Sequence, residues 1–116
     1  MTICKPGDIV DVPFPFIDTP EKKLRPALVL TDSGFQAHSG AVVLMMVTSA
    51  ERSRWDSDIE LSDWQAAGLR KPSLIRWKLF TIDEQLIVSR RGALRDADRQ
   101  KVRESLGKNL GEWIRS

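Results

Sequence analysis

The hydrophobic period of this chain changes once, at Asp96. Before it, apolar residues come in strand-length runs between turn signals. After it they recur at helical spacing. "GDIVDVPF" (7–14) sets Ile9, Val10, Val12 and Phe14 against Asp8 and Asp11 and reads as a first strand. Pro13 and Pro15 cannot donate ladder hydrogen bonds, so its far end is expected at an edge or a bulge. "RPALVLTD" (25–32) and "GAVVLMMVTS" (40–49) are rich in leucine and β-branched residues, as central strands are. His38-Ser39-Gly40 is expected in the turn that joins them as a hairpin. "SDIELSD" (57–63) alternates more weakly and reads as a fourth strand. "SDWQAAGLRKPS" (62–73) has a cap at Ser62 or Asp63 and a stop at Gly68, giving a short helical turn or loop. "SLIRWKLFTID" (73–83) and "EQLIVSRRG" (84–92) read as strands five and six. From Asp96, a plausible N-cap, the apolar positions are Val102, Leu106, Leu110 and Trp113 or Ile114. Five or six short strands followed by one helix argue for a mainly β fold, a small curled barrel with a C-terminal helix.

The length of 116 residues suits one compact domain, 1–116. No run approaches the roughly 18 consecutive apolar residues of a membrane span. "MTICKPGD" holds no secretory apolar region. A cytoplasmic protein is the resulting expectation. The single cysteine, Cys4, excludes an internal disulfide and reads as a packed thiol in the first strand. The single histidine, His38, cannot organise a zinc cluster or a His-centred triad. There is no GxxxxGK[ST] loop and no GxGxxG turn. No cofactor or metal is expected.

The net charge is only +2, but it is unevenly placed. Residues 1–69 carry 6 basic and 10 acidic side chains; residues 70–116 carry 12 basic and 6 acidic ones. Such asymmetry favours an anionic partner unless folding intermixes the halves.

The chemistry left to such a chain lies in arginine and hydroxyl groups at strand ends. Arg25 opens the second strand and Thr48-Ser49 closes the third. In an antiparallel hairpin the start of one strand lies near the end of the other, so Arg25 and Thr48 are expected on one rim. A guanidinium fork and a hydroxyl there suit a phosphodiester. RNA brings its own nucleophile, the 2′-OH. A metal-free enzyme then has to align that oxygen, move its proton, stabilise phosphoryl charge and protonate the leaving oxygen. Arginine serves charge stabilisation well and proton abstraction poorly. By residue type alone, Arg25 reads first as a solvated or structural arginine, Thr48 as a strand-end hydroxyl, and Lys22 and Lys23 as solvated surface lysines. Trp64 and Trp77 read as core or interface anchors, whereas Trp55, in "RSRWDSD", sits in a charged loop, where a contact with nucleic acid or protein is harder to dismiss.

Three segments in this order, "PGDIVDVPFPF", "KLRPALVLTD" and "VVLMMVTS", resemble the PemK/MazF family of toxin endoribonucleases. "LSDWQAAGLRKPSLIRWKLFTID", "LIVSRRGAL" and the last helix extend the resemblance over about residues 6–113. It implies an SH3-like barrel with short helices, usually a homodimer, acting as the toxin of a type II toxin–antitoxin pair. It implies metal-independent, sequence-selective cutting of single-stranded RNA to 2′,3′-cyclic phosphate and 5′-OH ends. The catalytic arginine falls on Arg25 and the threonine on Thr48. Lys22, Lys23, Ser49 and Trp55 become candidate substrate-binding residues. The loop from Phe16 to Leu24 resembles the one that covers RNA and answers to the antitoxin. Operator DNA would be bound only through the antitoxin complex. The loop "IDTPEKKLRP" departs from better-known members in having two lysines and no glycine, and "VPFPF" with "LSDWQAAGLRKPS" resembles a PemK-like branch. A catalytically weak relative that binds nucleic acid or protein is the alternative; an unrelated SH3-like interaction domain would need an aromatic groove that is not evident.

Overall fold

The chain, described here from a computed structural model over residues 3–13, 23–51 and 54–115, runs through β1 (Asp8–Pro13), β2 (Leu24–Val29), α1 (Ser33–Ser39), β3 (Ala41–Ser49), β4 (Ile59–Glu60), β5 (Ser73–Asp83), β6 (Ser89–Ala93) and α2 (Asp96–Arg115). The strands form one antiparallel sheet in the order β4-β5-β3-β2-β1-β6. Two irregularities bend it, at Ile9/Val10 against β6 and at Met45/Met46 against β5. Bulges raise local twist, which curls a six-stranded sheet. The mainly β fold with a C-terminal helix is as the hydrophobic period predicts. No helix among the described residues is long and apolar enough to cross a membrane.

Several local expectations change. β2 and β3 are antiparallel neighbours, but a short helix joins them instead of a turn, and His38 lies in it. Gly40, at φ +72°, ends that helix, its N–H reaching the Gln36 carbonyl at 2.8 Å. The buried Gln36 side chain accepts from the Cys4 N–H at 2.8 Å, which ties α1 to the N-terminal segment. Strand four shrinks to two residues, and 62–72 forms turns without a helix. The sixth strand begins at Ser89, because Glu84–Leu86 form a 3₁₀ turn. There the Asp83 carboxylate accepts from the Gln85 N–H and draws the backbone out of the ladder. β1 is an interior strand, but its Pro13 end is an edge as expected, since the pairing with β6 stops at Asp11↔Ser89. Cys4 precedes β1 but is packed as expected, and burial, reinforced by Asp8, pushes its thiol pKa up.

Alternation gives the sheet two apolar faces. Ile9, Leu28, Met45, Val47 and Ile75 face Ala67, Leu69, Leu94 and Val102, so this side is covered by α2 and segment 62–72. Val10, Val12, Ala27, Val29, Val42, Leu44, Phe80 and Ile82 form the second cluster with Cys4. Asp98 on α2 is fully buried and accepts from the Ser62 and Asp63 N–H groups, each at 2.9 Å. Segment 62–72 also touches β6 where two glycines meet it. A Cβ on Gly92 would lie 2.5 Å from the Ala67 carbonyl oxygen, and one on Gly68 2.4 Å from that of Arg91. That close approach joins the connection between β4 and β5 to the opposite edge of the sheet. Ion pairs Arg90–Asp8, Arg91–Asp11 and Arg76–Asp58 link the basic and acidic halves of the chain, so folding does intermix them. The apolar stripe of α2 is covered only along its first half. Val102 is buried, whereas Trp113 and Ile114 are exposed.

Candidate functional site at the open end of two strands

Pro26 determines the shape of this site. It has no N–H to give, and the pairing of β2 with β3 stops one residue away, at Ala27↔Met46. On the other side β2 stays paired with β1 as far as Pro13↔Leu24. The β2 and β3 ends therefore lie beside one another without ladder bonds. Continued two residues beyond Ala27↔Met46, the register sets Arg25 opposite Thr48. Both alternate with members of the second apolar cluster, Arg25 with Ala27 and Val29, Thr48 with Met46 and Leu44, so both belong to that face. Each is half-buried. The Arg25 Nε is buried with no hydrogen-bond partner. A buried unpaired guanidinium nitrogen costs about 1–3 kcal/mol or more, a penalty that an incoming acceptor would relieve. The chemistry available at this rim is anion recognition by a guanidinium and a hydroxyl.

The other candidates lie at varied distances from it. Lys23 is exposed two residues before Arg25. Ser49 is half-buried beside Thr48, and its Oγ accepts from the Glu51 N–H at 3.3 Å. Lys22 and most of the loop from Phe16 to Leu24 lie outside the described residues. Trp64 and Trp77 pack against the first apolar cluster, and the Trp77 indole N–H donates to Ser105 Oγ at 2.6 Å.

Trp55 is built into an arrangement that the sequence reading did not single out. Arg76, on β5, pairs in register with Met46, one strand from β2. Its neighbour Ile75 points into the first cluster, so Arg76 takes the opposite face, that of Arg25 and Thr48. Arg76 Nε and a terminal nitrogen donate to the two oxygens of Asp58, at 3.1 and 2.9 Å. Both side chains are buried, 8% and 4% exposed. Asp58 also accepts from the Trp55 N–H at 2.7 Å, while the Trp55 carbonyl accepts from the Asp58 N–H at 3.0 Å. The guanidinium carbon lies 4.6 Å from the Trp55 ring centroid, within cation–π range. Burial alone would raise the Asp58 pKa. The bonds from Arg76 and Trp55, with the guanidinium charges of Arg76 and Arg54, outweigh it and hold the carboxyl below the usual range. The hydrogen bond to Asp58 in turn raises the Arg76 pKa. One signal in the sequence pointed here: an arginine between Ile75 and Trp77 in an apolar strand has to find a carboxylate if it is buried.

A separate open groove of about 490 Å³ runs between the β4 region and α2, lined by Asp56, Glu60, Lys101, Glu104 and Lys108 among others. It is of mixed charge and borders the Arg76–Asp58 pair through Asp58, but none of Arg25, Thr48 and Trp55 lines it.

With this fold and rim in place, comparison with known proteins is direct. The sequence profile of the PemK-like, MazF-like toxins of type II toxin–antitoxin systems matches residues 5–110, and the chain belongs to that family. No curated protein matches the chain in sequence. Among solved structures it is similar to an endoribonuclease in complex with its cognate antitoxin from a mycobacterial species, at 14% identity over 96% of both chains, with a TM-score of 0.74. It is also similar to a MazE–MazF crystal structure from Deinococcus radiodurans, at 19% identity over 96% of this chain and 98% of that one, TM-score 0.72. The Mycobacterium tuberculosis toxin MazF-mt6 is similar at 19% identity over 90% and 96%, TM-score 0.70. These likenesses establish the fold.

Proposed function

We propose that the chain is an endoribonuclease, the toxin of a type II pair, that cuts single-stranded RNA at preferred sequences without a metal. The observation that carries this reading is the Arg25 rim: a guanidinium with a buried, unpartnered Nε, in register with a threonine, on a strand end that a proline keeps open. Family membership and the likeness to structures described as endoribonucleases support it.

The chemistry follows from the substrate. The 2′-oxygen attacks the adjacent phosphorus, the bond from phosphorus to the 5′-oxygen breaks, and the proton lost from the 2′-OH is balanced by one gained at the 5′-oxygen. The products are a 2′,3′-cyclic phosphate and a 5′-OH. Negative charge grows on the phosphoryl oxygens, and Arg25 is the group placed to meet it, with Thr48 as a second donor. Lys22 and Lys23 neutralise flanking phosphates, and Ser49 and Trp55 contact the strand. A homodimer in the cytoplasm, held in check by a cognate antitoxin that also carries any contact with operator DNA, completes the proposal. The antitoxin part is supported by the neighbours solved with theirs.

The test is direct. Purified protein and its Arg25→Ala form are incubated with mixed-sequence single-stranded RNA in EDTA, and the ends are mapped. Cuts leaving cyclic phosphate that vanish with Arg25 support the reading. RNA that stays intact with the wild-type protein, freed of any bound antitoxin, refutes it.

A further inference from the structure

We infer that Trp55 is a stacking platform for one nucleobase of the RNA, held flat by the Arg76–Asp58 pair beneath it. The inference rests on the ribonuclease reading and deepens it. An exposed tryptophan on a loop would ordinarily sample several rotamers, and ordering it on binding would cost affinity. Here its backbone is fixed twice, through the N–H to Asp58 and the carbonyl to the Asp58 N–H. One face of its ring is occupied by a guanidinium that is itself clamped by two hydrogen bonds in a buried ion pair. Yet the residue remains 44% exposed. A half-exposed ring backed on one side by a guanidinium is suited to serve as a π surface, and single strands use such surfaces because every base has a π face.

Its position fits a strand that crosses Arg25. Arg76, Met46, Thr48 and Arg25 share one face of three adjacent strands. Adjacent strands lie about 4.8 Å apart and residues about 3.3 Å apart along a strand, so the backbones at Arg76 and Arg25 are separated by roughly 12 Å. The Trp55 ring lies over the Arg76 guanidinium, so a single strand that crosses Arg25 has a few nucleotides of length in which to reach it. Arg76 and Asp58 do not touch the base in this scheme; they are positioning residues.

The full-length protein tests this by cleavage kinetics on mixed-sequence single-stranded RNA. Trp55→Ala is expected to raise KM about tenfold, with kcat little changed, and Trp55→Phe to recover part of the loss. An abasic deoxyribose-phosphate strand, which has no base to stack, is expected to compete equally well against the wild type and Trp55→Ala. The paired change Asp58→Asn with Arg76→Met leaves no buried charge unpaired. It is expected to raise KM about threefold and to make Trp55 fluorescence, taken as the difference from the same protein with Trp55→Phe, more accessible to acrylamide. Unchanged KM in Trp55→Ala, while the wild type cleaves, overturns the platform and leaves the ribonuclease reading standing. So does an abasic strand that competes more weakly against Trp55→Ala than against the wild type, or a loss of antitoxin affinity with KM unaltered, which would assign the ring to the protein partner. A wild type that does not cut RNA overturns the underlying reading instead.

Discussion

Two arginines on one face of this sheet are held in opposite ways. Arg76 is enclosed: a carboxylate takes its Nε and a terminal nitrogen, and an indole ring covers it. Arg25 sits where Pro26 has ended the ladder between two strands, and its Nε is buried without a partner. The contrast separates a guanidinium whose bonding is used within the fold from one whose Nε bonding the fold leaves unused. Arg76 is buried and Arg25 half-buried, and the sharper difference is the partner.

Removing the enclosed arginine is expected to have the largest effect on stability. Arg76→Ala leaves Asp58 buried and uncompensated, so a loss of about 3–5 kcal/mol is expected in urea unfolding. The double variant Asp58→Asn with Arg76→Met should lose much less, because it removes both charges together.

Removing the open arginine should invert that pattern. Arg25→Ala is expected to lower kcat by about 10²–10³, as loss of a transition-state donor does. Its stability should stay within about 1 kcal/mol of wild type, because an unsatisfied polar atom is deleted. An unfolding loss as large as that of Arg76→Ala would erase the contrast.

Acid offers a gentler probe. The Asp58 carboxyl is held below its ordinary pKa by its partners. A carboxyl depressed in the folded state contributes stability that is fully present above the unfolded pKa, about 3.9, and is lost as pH falls through the folded value. The gap in urea midpoint between wild type and Asp58→Asn should therefore be constant above about pH 5 and close below about pH 4. A gap that persists at low pH would show that the charge on Asp58 contributes little.

The smallest effect is expected at Lys23, exposed beside the Arg25 rim. Lys23→Ala should reduce the dependence of RNA affinity on log salt by about 0.7 and leave the cleavage of bound RNA unchanged. An unaltered salt slope would remove Lys23 from the phosphate path.

Much of the fold was legible because strand-forming residues alternate or cluster in runs that admit little else. β5 coincides with "SLIRWKLFTID" and β3 with all but the first residue of "GAVVLMMVTS". The misreadings arise where a local bond or a tertiary partner decides. "EQLIVSRRG" looks like one strand, but the Asp83 carboxylate captures the Gln85 N–H and turns its first residues aside. The helix between β2 and β3 is short, and its anchor, the contact of Gln36 with Cys4, spans 32 residues of sequence. The stripe on α2 was read correctly as periodic, yet Leu110, Trp113 and Ile114 remain exposed, since periodicity states which residues share a side and not whether anything covers it.

For the site, the sequence by itself determined the chemical groups and the reason they are presented. Arg25 precedes a proline, whose missing N–H removes one ladder bond from β2; that the loss falls on the β3 side, while Pro26 stays paired with Asp11 of β1, is set by the fold. Only the tertiary structure decided which side chains share that face. The register that sets Arg25 opposite Thr48 depends on two strands separated by a helix. The cluster of Trp55, Asp58 and Arg76 depends on a strand pairing that brings 58 and 76 together. Neither is encoded in local spacing, because hydrogen-bond register is fixed by long-range burial of alternate residues. The same pairing turned Arg76, an unremarked charge in an apolar run, into the support for Trp55.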